Sequence, residues 1–327
     1  MMRGQSAIAI ALCGLALQLP GVVNSRADDY PSRPITLIVP FPPGGSSDIV
    51  MRLLAQKVSE SIKQPIVIDN RPGAAGNVAA MAIKNATPDG YLLMMGHTGT
   101  HAINPSLYGD LKFDPIRDFQ PITALISFNN ILVVPEASPA KSVADLVAYA
   151  RSKPEGLSYG SQGVGTGGHL LGVLLAKSAN LKLVHVPYRG IAPAVTDTVA
   201  ARMDMLFASY VSVGGHVEAG RLRMLGIAST QRHPRIPDVP TMPEAGYPDV
   251  QMQQWFGLFA PAGTPSAIVQ KLNTEFVRAL RSDEVTSKML PQVVFVTPST
   301  PEELGALVVR DIERLGKVVR DSGAKVQ

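Results

Sequence analysis

One cysteine, Cys13, stands in the 327 residues, and it lies near the N-terminus inside an apolar stretch. Neither a disulfide framework nor a Cys-based metal centre can therefore hold the fold together. Charge of either sign is also in short supply: charged residues make up 17% of the chain, and 30 Lys and Arg face 26 Asp and Glu. That balance, without basic clusters, excludes the electrostatic footprint of a nucleic-acid partner. Long apolar runs are scarce. The run from about Ala7 to Leu19 is shorter than the roughly 18 residues a membrane span needs. With Arg3 before it and Ser25-Arg26-Ala27 after it, it has the layout of a secretory signal peptide over residues 1–27. Leu12 is too large for the position before a lipidated cysteine, so the expected product is a periplasmic protein without a lipid anchor. Loss of Arg3 and Arg26 brings the formal +4 to about +2.

What is present is glycine and proline, 29 and 27 residues, scattered between periodic segments in the manner of many short connections. A mature chain of about 300 residues buries a large core and favours two lobes over one. The segment I-T-L-I-V-P-F-P-P-G-G-S-S-D, Ile35 to Asp48, reads as strand, loop and helix, since Ile49, Leu53 and Leu54 follow at one-sided helical spacing. Ser46, Ser47 and Asp48 are N-cap residue types, and Gly44 and Gly45 let backbone approach a ligand. A helix start so exposed suits an anion, although a tight turn without a ligand has the same composition. The grammar repeats at Pro65 to Asn77, where G-A-A-G-N opens a helix, and at Leu92 to His101, where the strand exits into G-H-T-G-T-H. It repeats again at Leu157 to His169, where S-Q-G-V-G-T-G-G-H links a strand to a helix, and at Leu183 to Gly190.

Strands ending in small polar loops imply an α/β fold with one functional edge per sheet. The stretch FQPITALISFNNILVVP, Phe119 to Pro135, reads as two strands parted by Ser127 to Asn130 and carries the chain from one lobe to the other. Trp255 to Phe259 carries it back. The expected division is residues 28–127 and 254–327 in a discontinuous first lobe and 128–253 in a second, with a hinge between them.

Several residues invite specific chemistry. Gly163 to Gly168 matches G-x-G-x-x-G, but no acid follows at the ribose-binding distance, which sets a dinucleotide aside. Ser161 is not in a nucleophile elbow. His97, His101 and His169 suggest a metal, but no Cys or carboxylate cluster joins them, and pocket lining suits His97 and Thr98 better. Ser161 and Thr166 have hydroxyls able to bond a carboxylate or to cap a helix, and Gly165 admits main-chain N–H groups. Arg189 is suited to a ligand carboxylate or to a structural pair with Asp204. Asp204 could instead accept from a ligand amine. Phe41 and Tyr188 can cover apolar ligand surface or belong to the core.

The motif series Y-P-S-R-P-I-T-L-I-V-P-F-P-P-G-G, N-R-P-G-A-A-G-N, P-D-G-Y, D-F-Q-P-I-T, G-V-G-T-G-G-H-L, V-P-Y-R-G, P-D-V-P-T-M-P-E-A-G and F-A-P-A-G-T-P begins at Tyr30 and ends at Pro265, within a likeness that extends to Ala324. In order and spacing it resembles the tripartite tricarboxylate transporter substrate-binding receptors, also called Bug receptors. The resemblance implies a two-lobe, type II-like periplasmic binding protein fold. Each lobe would be a doubly wound, mostly parallel sheet, with the ligand cleft at the hinge. It implies a monomer that binds a small carboxylate or dicarboxylate, performs no catalysis, needs no cofactor or metal, and presents its ligand to integral-membrane transporter subunits. Two loops would grip the ligand, Phe41 to Ser46 (including Pro42) and Ser161 to Thr166. Asn77, His97, Thr98, His169, Tyr188, Arg189, Asp204 and Ser209 complete the expected site. Leu92 departs from the family's usual Thr. A sensor using the same closure without transport, or an exported enzyme acting on a carboxylated substrate, are the alternatives.

Overall fold

The computed structural model describes residues 30–322, so the signal peptide expected over 1–27, with Cys13, lies outside the described residues. The apolar run after Arg33 forms β1 (Ile35–Val39), whose Ile35, Leu37, Ile38 and Val39 are all buried. Strand β1 pairs in parallel with β2 (Ile66–Asn70) and β3 (Leu92–His97). The sheet then continues with antiparallel strands: β10 (Gln253–Pro261) on β3, β4 (Phe119–Asn129) on β10 and β11 (Val294–Val296) on β4. Its six strands run in the order β11-β4-β10-β3-β1-β2.

A second sheet has five strands in the order β7-β6-β8-β5-β9. Here β6 (Leu157–Ser161) lies parallel to β7 (Leu183–Pro187) and β8 (Met205–Ala208). Strand β5 (Ile131–Pro135) runs antiparallel to β8 and to β9 (Leu222–Ile227). Both sheets are thus mixed rather than mostly parallel. The reason lies in the crossings: β4 carries the chain out of the first sheet and β10 brings it back, so two opposed strands pair side by side along nine registered residue pairs.

Strand β4 continues through Ser127 to Asn129, which the sequence pattern suggests is a break, and only Asn130 separates it from β5. The crossing between the two sheets is tied at this point. Asn129 Nδ2 donates to the Ala228 carbonyl (2.8 Å) and the Met252 carbonyl (3.1 Å), and Ala228 N donates to the Asn130 carbonyl at 2.8 Å.

Helices cover the sheets: α1 (Ser46–Ile62), α2 (Asn77–Lys84), α3 (Asn104–Leu107), α4 (Val143–Arg151), α5 (Gly167–Ser178), α6 (Ile191–Val199), α7 (Tyr210–Glu218), α8 (Ser266–Leu280), α9 (Asp283–Met289) and α10 (Pro301–Ser322). Two of them are disguised in the sequence. Helix α7 contains Gly214 and Gly215, and a Cβ on Gly214 would fall 2.4 Å from the Tyr210 ring, which packs over it while its hydroxyl donates to Glu218 at 2.9 Å. Helix α9 is short and begins at the Ser282 cap, whose hydroxyl accepts from Val285 N. Helix α10 serves both cores. Its Leu304 and Val308 pack with Ile38, Met94 and Phe259, whereas Leu315 and Val319 join Leu170, Leu171 and Leu174 of α5. The C-terminal helix thus packs into the cores beneath both sheets.

Candidate ligand-binding site

The loop after β1 is fixed from beneath by one carboxylate. Asp48 is buried and accepts hydrogen bonds from Gly44 N (3.0 Å), Arg52 Nε (2.9 Å) and Asn70 Nδ2 (3.0 Å), while Asn70 also donates to the Phe41 carbonyl at 2.9 Å. Burial by itself would raise the Asp48 pKa, but the bonds from Arg52, Gly44 and Asn70 outweigh it and hold the group below the ordinary carboxylate value. Gly44 turns the chain at φ +84°, a left-handed conformation that favours glycine. The helix then starts without a side-chain cap. Gly45 occupies the N-cap position, and Ser46 and Ser47 are already helical rather than capping. No side chain caps the first N–H groups of α1, but the Asp48 carboxylate lies in its first turn and offsets part of the positive dipole end.

The loop after β6 is built around Gly163. Its carbonyl accepts from the Ser161 hydroxyl (3.0 Å) and the Thr166 hydroxyl (2.7 Å), and its N–H donates to Ser161 Oγ at 3.1 Å. Ser161 Oγ also lies 2.7 Å from His185 Nε2. Both hydroxyls, expected at the ligand, are buried and engaged inside the loop. They position the turn and leave the main chain to face the cleft. His169 does the same from the first turn of α5, where Nδ1 accepts from Gly165 N at 3.3 Å and the ring stacks 4.3 Å from that of His185. Burial pushes both imidazoles down to about 4, with the neighbouring ring contributing at His185. Helix α5 likewise has no side-chain cap.

A third loop lies beside these two. Gly73, Ala74, Ala75 and Gly76 all have φ between +44° and +145°, and two alanines in left-handed conformation cost on the order of 1–2 kcal/mol each. Asn77 then opens α2, its Oδ1 accepting from Asn104 Nδ2 at 2.6 Å. The H-T-G-T-H segment, which need not be helical by its composition, makes a π-helical turn over Gly99–Ile103. His97 Nδ1 accepts from Gly99 N at 3.0 Å, and its ring packs 4.9 Å from that of Phe41. Burial lowers the pKa of His97 to about 3, against a weaker opposing influence of the Ala75 carbonyl. Thr98 is spent on the return crossing, accepting from Trp255 N at 2.9 Å. His101 stacks on Phe259 at 4.1 Å within the core. The three histidines thus face separate local partners.

A cavity of about 600 Å³ opens where these loops meet, lined by residues 40–42, 72–75, 108, 162–164 and 188–190. Among the described residues that line it, Arg189 carries the only charge; it is exposed and makes no ion pair or hydrogen bond with the described residues. Tyr188 turns its hydroxyl away to Asp197 (2.7 Å), and burial together with that bond pushes its pKa up to about 12, leaving the ring at the cavity. A narrower cavity of about 20 Å³ lies between the starts of α1 and α6, lined in part by Ser46, Gln162 and Gly190. It has room for about one water. The lobes touch around these spaces. A Cβ on Gly190 would lie 2.9 Å from Pro42, one on Gly45 3.2 Å from Ile191, and one on Gly165 2.6 Å from Asn104 Oδ1.

Two expected residues stand elsewhere. Asp204 precedes β8 and accepts from Ser158 N and Ser158 Oγ, each at 2.7 Å. That is the opposite end of the strands from the 162–166 loop, about 10 Å away at the rise of a strand, so Asp204 pairs with neither Arg189 nor a ligand in the cavity. Ser209 occupies the N-cap position of α7, and its hydroxyl lies 3.3 Å from that of Ser212. Phe41, Pro42, Tyr188 and Arg189 line the large cavity, Gly44 and Gly165 shape its two loops, and Gly45 and Ser46 line the small one. Sequence patterns did not single out Ala74 or Ala75, and they reached Gln162 and Val164 only as parts of the Ser161 to Thr166 loop. For the alanines the G-A-A-G turn was a signal, whereas nothing local marks Tyr108 or Asn104.

Residues 50–323 match the family model described as "Tripartite tricarboxylate transporter family receptor". A Pseudomonas protein from the tcbD-tcbE intergenic region is 39% identical, over 95% of this chain and 92% of its own length. A Rhodopseudomonas palustris protein solved with adipate is 36% identical with a TM-score of 0.87, over 90% of this chain and 99% of that one. MatC of the same organism, solved with bound malate, is 34% identical with a TM-score of 0.84, over 89% and 100%. Among the described residues no helix is long and apolar enough to cross a membrane.

Proposed function

The chain belongs to the tripartite tricarboxylate transporter receptor family, and from that premise we propose that it is a periplasmic receptor for a small carboxylate or dicarboxylate, held between its lobes. The observation that carries this reading is the cavity of about 600 Å³ between the loops of both lobes, where Arg189 is the one charged lining group among the described residues. A volume in that range suits a small organic acid. An anion there meets a guanidinium free to bind it bidentately and no carboxylate among the described lining residues. Contacts from both lobes stabilise the closed form more than the open one, which converts binding into closure. The closed receptor, acting as a monomer, would be read by integral-membrane transporter subunits after removal of residues 1–27. The hinge lies at Asn129 and Asn130 and at the return from Ala228 to Met252, where the hydrogen bonds between connections converge.

The test is a thermal-shift and calorimetric screen of the mature protein, stripped of co-purified ligand, against mono-, di- and tricarboxylates, amino acids and neutral sugars. A carboxylate at 100 times its dissociation constant should add about 2.7 kcal/mol of stability. Stabilisation by neutral or cationic solutes alone would overturn the reading. Turnover of a bound acid would favour an enzyme.

A further inference from the structure

The loop that brings Gln162, Gly163 and Val164 to the large cavity is fastened at its far end by an imidazole. His169 stands in the first turn of α5, is 7% exposed, and its Nδ1 accepts from Gly165 N at 3.3 Å. A neutral ring that accepts at Nδ1 carries its proton on Nε2. A further proton can enter only at Nδ1, where it would face the Gly165 N–H with no lone pair between them. Protonation thus turns this hydrogen bond into a meeting of two donors.

Gly165 is also where the loop meets the segment that follows β3. A Cβ on it would lie 2.6 Å from Asn104 Oδ1 and 3.0 Å from Leu107 Cδ2, and its carbonyl lies 3.2 Å from where a Cβ on Gly99 would sit. Gly165 is pinched on both sides, so losing its hold on His169 disturbs the contact that closes the cleft.

A second imidazole adjoins the first. The His185 ring stacks on those of His169 (4.3 Å) and Tyr159 (4.8 Å), and its Nε2 lies 2.7 Å from Ser161 Oγ. Ser161 can accept from a protonated His185 while its own hydrogen goes to the Gly163 carbonyl at 3.0 Å, so a charge on His185 leaves the loop intact. A charge on either ring disfavours one on the other. The groups around the pair are few. Strand β6 faces it with Tyr159, whose hydroxyl donates to the His169 carbonyl at 3.3 Å, and β8 supplies only Met205 to Ala208. Helix α10 meets α5 through Leu315 and Val319, and its buried Asp311 is taken by Trp255 and Arg314. Lys177, about two turns along α5, donates to the Asp321 carbonyl. Tyr108 stands beside Gly165, and Arg189 lines the cavity. Burial alone depresses His169 to about 4, with no carboxylate or cation acting on it, and burial with the His169 ring depresses His185 equally.

Resting on the receptor reading above, we propose that His169 and His185 form an acid-sensitive clasp, in which a proton on His169 Nδ1 frees Gly165, favours the open form and releases the ligand. Parting of the lobes exposes His169 and loosens its bond to Gly165, so the open form binds the proton more tightly and acid favours opening. The contribution to affinity is complete above about pH 6.5, the ordinary imidazole value, and is lost as the pH falls below it. If the open-form ring titrates near that value and the closed-form ring near 4, the loss between about pH 7.5 and about pH 5 is at most about 30-fold.

Calorimetry at those two pH values, with adipate and with malate as probes, tests this on the ligand-stripped mature protein and on His169→Asn. The asparagine Oδ1 takes the place of Nδ1 as an acceptor for Gly165 N but does not titrate. Ionisation of the probe is common to both proteins and cancels between them. Whatever the affinity of the variant at neutral pH, the wild-type protein should lose about 3-fold to 30-fold more on acidification. Nitrogen-15 NMR without ligand supplies an independent reading, since the Gly165 amide should shift in step with the His169 ring. Equal acid losses in the wild-type protein and in folded His169→Asn overturn the inference and make His169 a structural support only. So does a Gly165 amide that does not follow the His169 titration. If neither probe binds at neutral pH, the inference falls. The receptor reading falls with it only if the wider carboxylate screen is blank as well.

Discussion

Replacing Gly165 by alanine separates two costs that the structure assigns to different equilibria. Gly165 sits at φ +86°, where an L-residue costs about 1–2 kcal/mol. That strain belongs to the loop whether the lobes are apart or together, so it should appear as lost folding stability. The second cost arises only on closure. The added Cβ would lie 2.6 Å from Asn104 Oδ1 and 3.0 Å from Leu107 Cδ2, both across the cleft, and such overpacking costs about 1–3 kcal/mol. It should appear as lost affinity of roughly 5-fold to 150-fold. Denaturant unfolding would read the first term, and calorimetric titration with the best carboxylate the second. Small-angle scattering should show the variant staying more open at saturating ligand. A folded Gly165→Ala protein with wild-type affinity and wild-type compaction would refute the assignment of this glycine to the closing interface.

Three further outcomes follow from the same geometry. Asp48→Ala removes the acceptor for Gly44 N, Arg52 and Asn70; since Arg52 is half exposed, the loss should be about 2–3 kcal/mol, with weakened ligand binding, and unchanged urea unfolding would argue against the role of this carboxylate in holding the loop. Arg189→Gln should lower carboxylate affinity about 10-fold or more and leave the melting temperature within error, because the side chain is exposed and unpaired; equal affinity at low salt would remove Arg189 from the site. Acid should destabilise the fold through its buried imidazoles. His169 and His185 titrate from about 6.5 when unfolded to about 4 when folded, so the unfolded chain binds more protons between those values. Their contribution is complete above about pH 6.5 and is lost as pH falls through about 4, at about 1.4 kcal/mol per pH unit per proton. A melting temperature flat from pH 6.5 to 4 would contradict that sign, and His185→Phe should flatten the slope.

Much of the fold was legible because it rests on local chemistry. Ile35 to Val39 could only be a buried strand, and the loops at Gly44, Gly73 and Gly163 punctuate the chain where left-handed or close-approaching backbone is needed. The crossings at Phe119 to Pro135 and Trp255 to Phe259 stood out as apolar runs able to carry the chain from one sheet to the other. Family membership was readable too, because it lies in the order of short motifs. Sheet direction was not: β4 and β10 pair antiparallel because one leaves the lobe and the other returns, a fact of topology with no trace in composition.

At the site, the residue types that draw attention in a sequence were those with reactive or charged ends, and tertiary packing reassigned several of them. Ser161 and Thr166 turn inward to a carbonyl two or three residues away, and Asp204 sits at the far end of its strand. Asn104, by contrast, lies in the unremarked segment A-I-N-P-S. Its amide is placed only by the fold: Asn77, from 27 positions earlier, engages one side of it, and Gly165 packs against the other. The sequence alone determined that two glycine-rich helix starts would exist. Which of their polar groups stay engaged within the loops and which line the cavity depended on how segments distant in sequence come together, because hydrogen-bond satisfaction is a property of the packed whole.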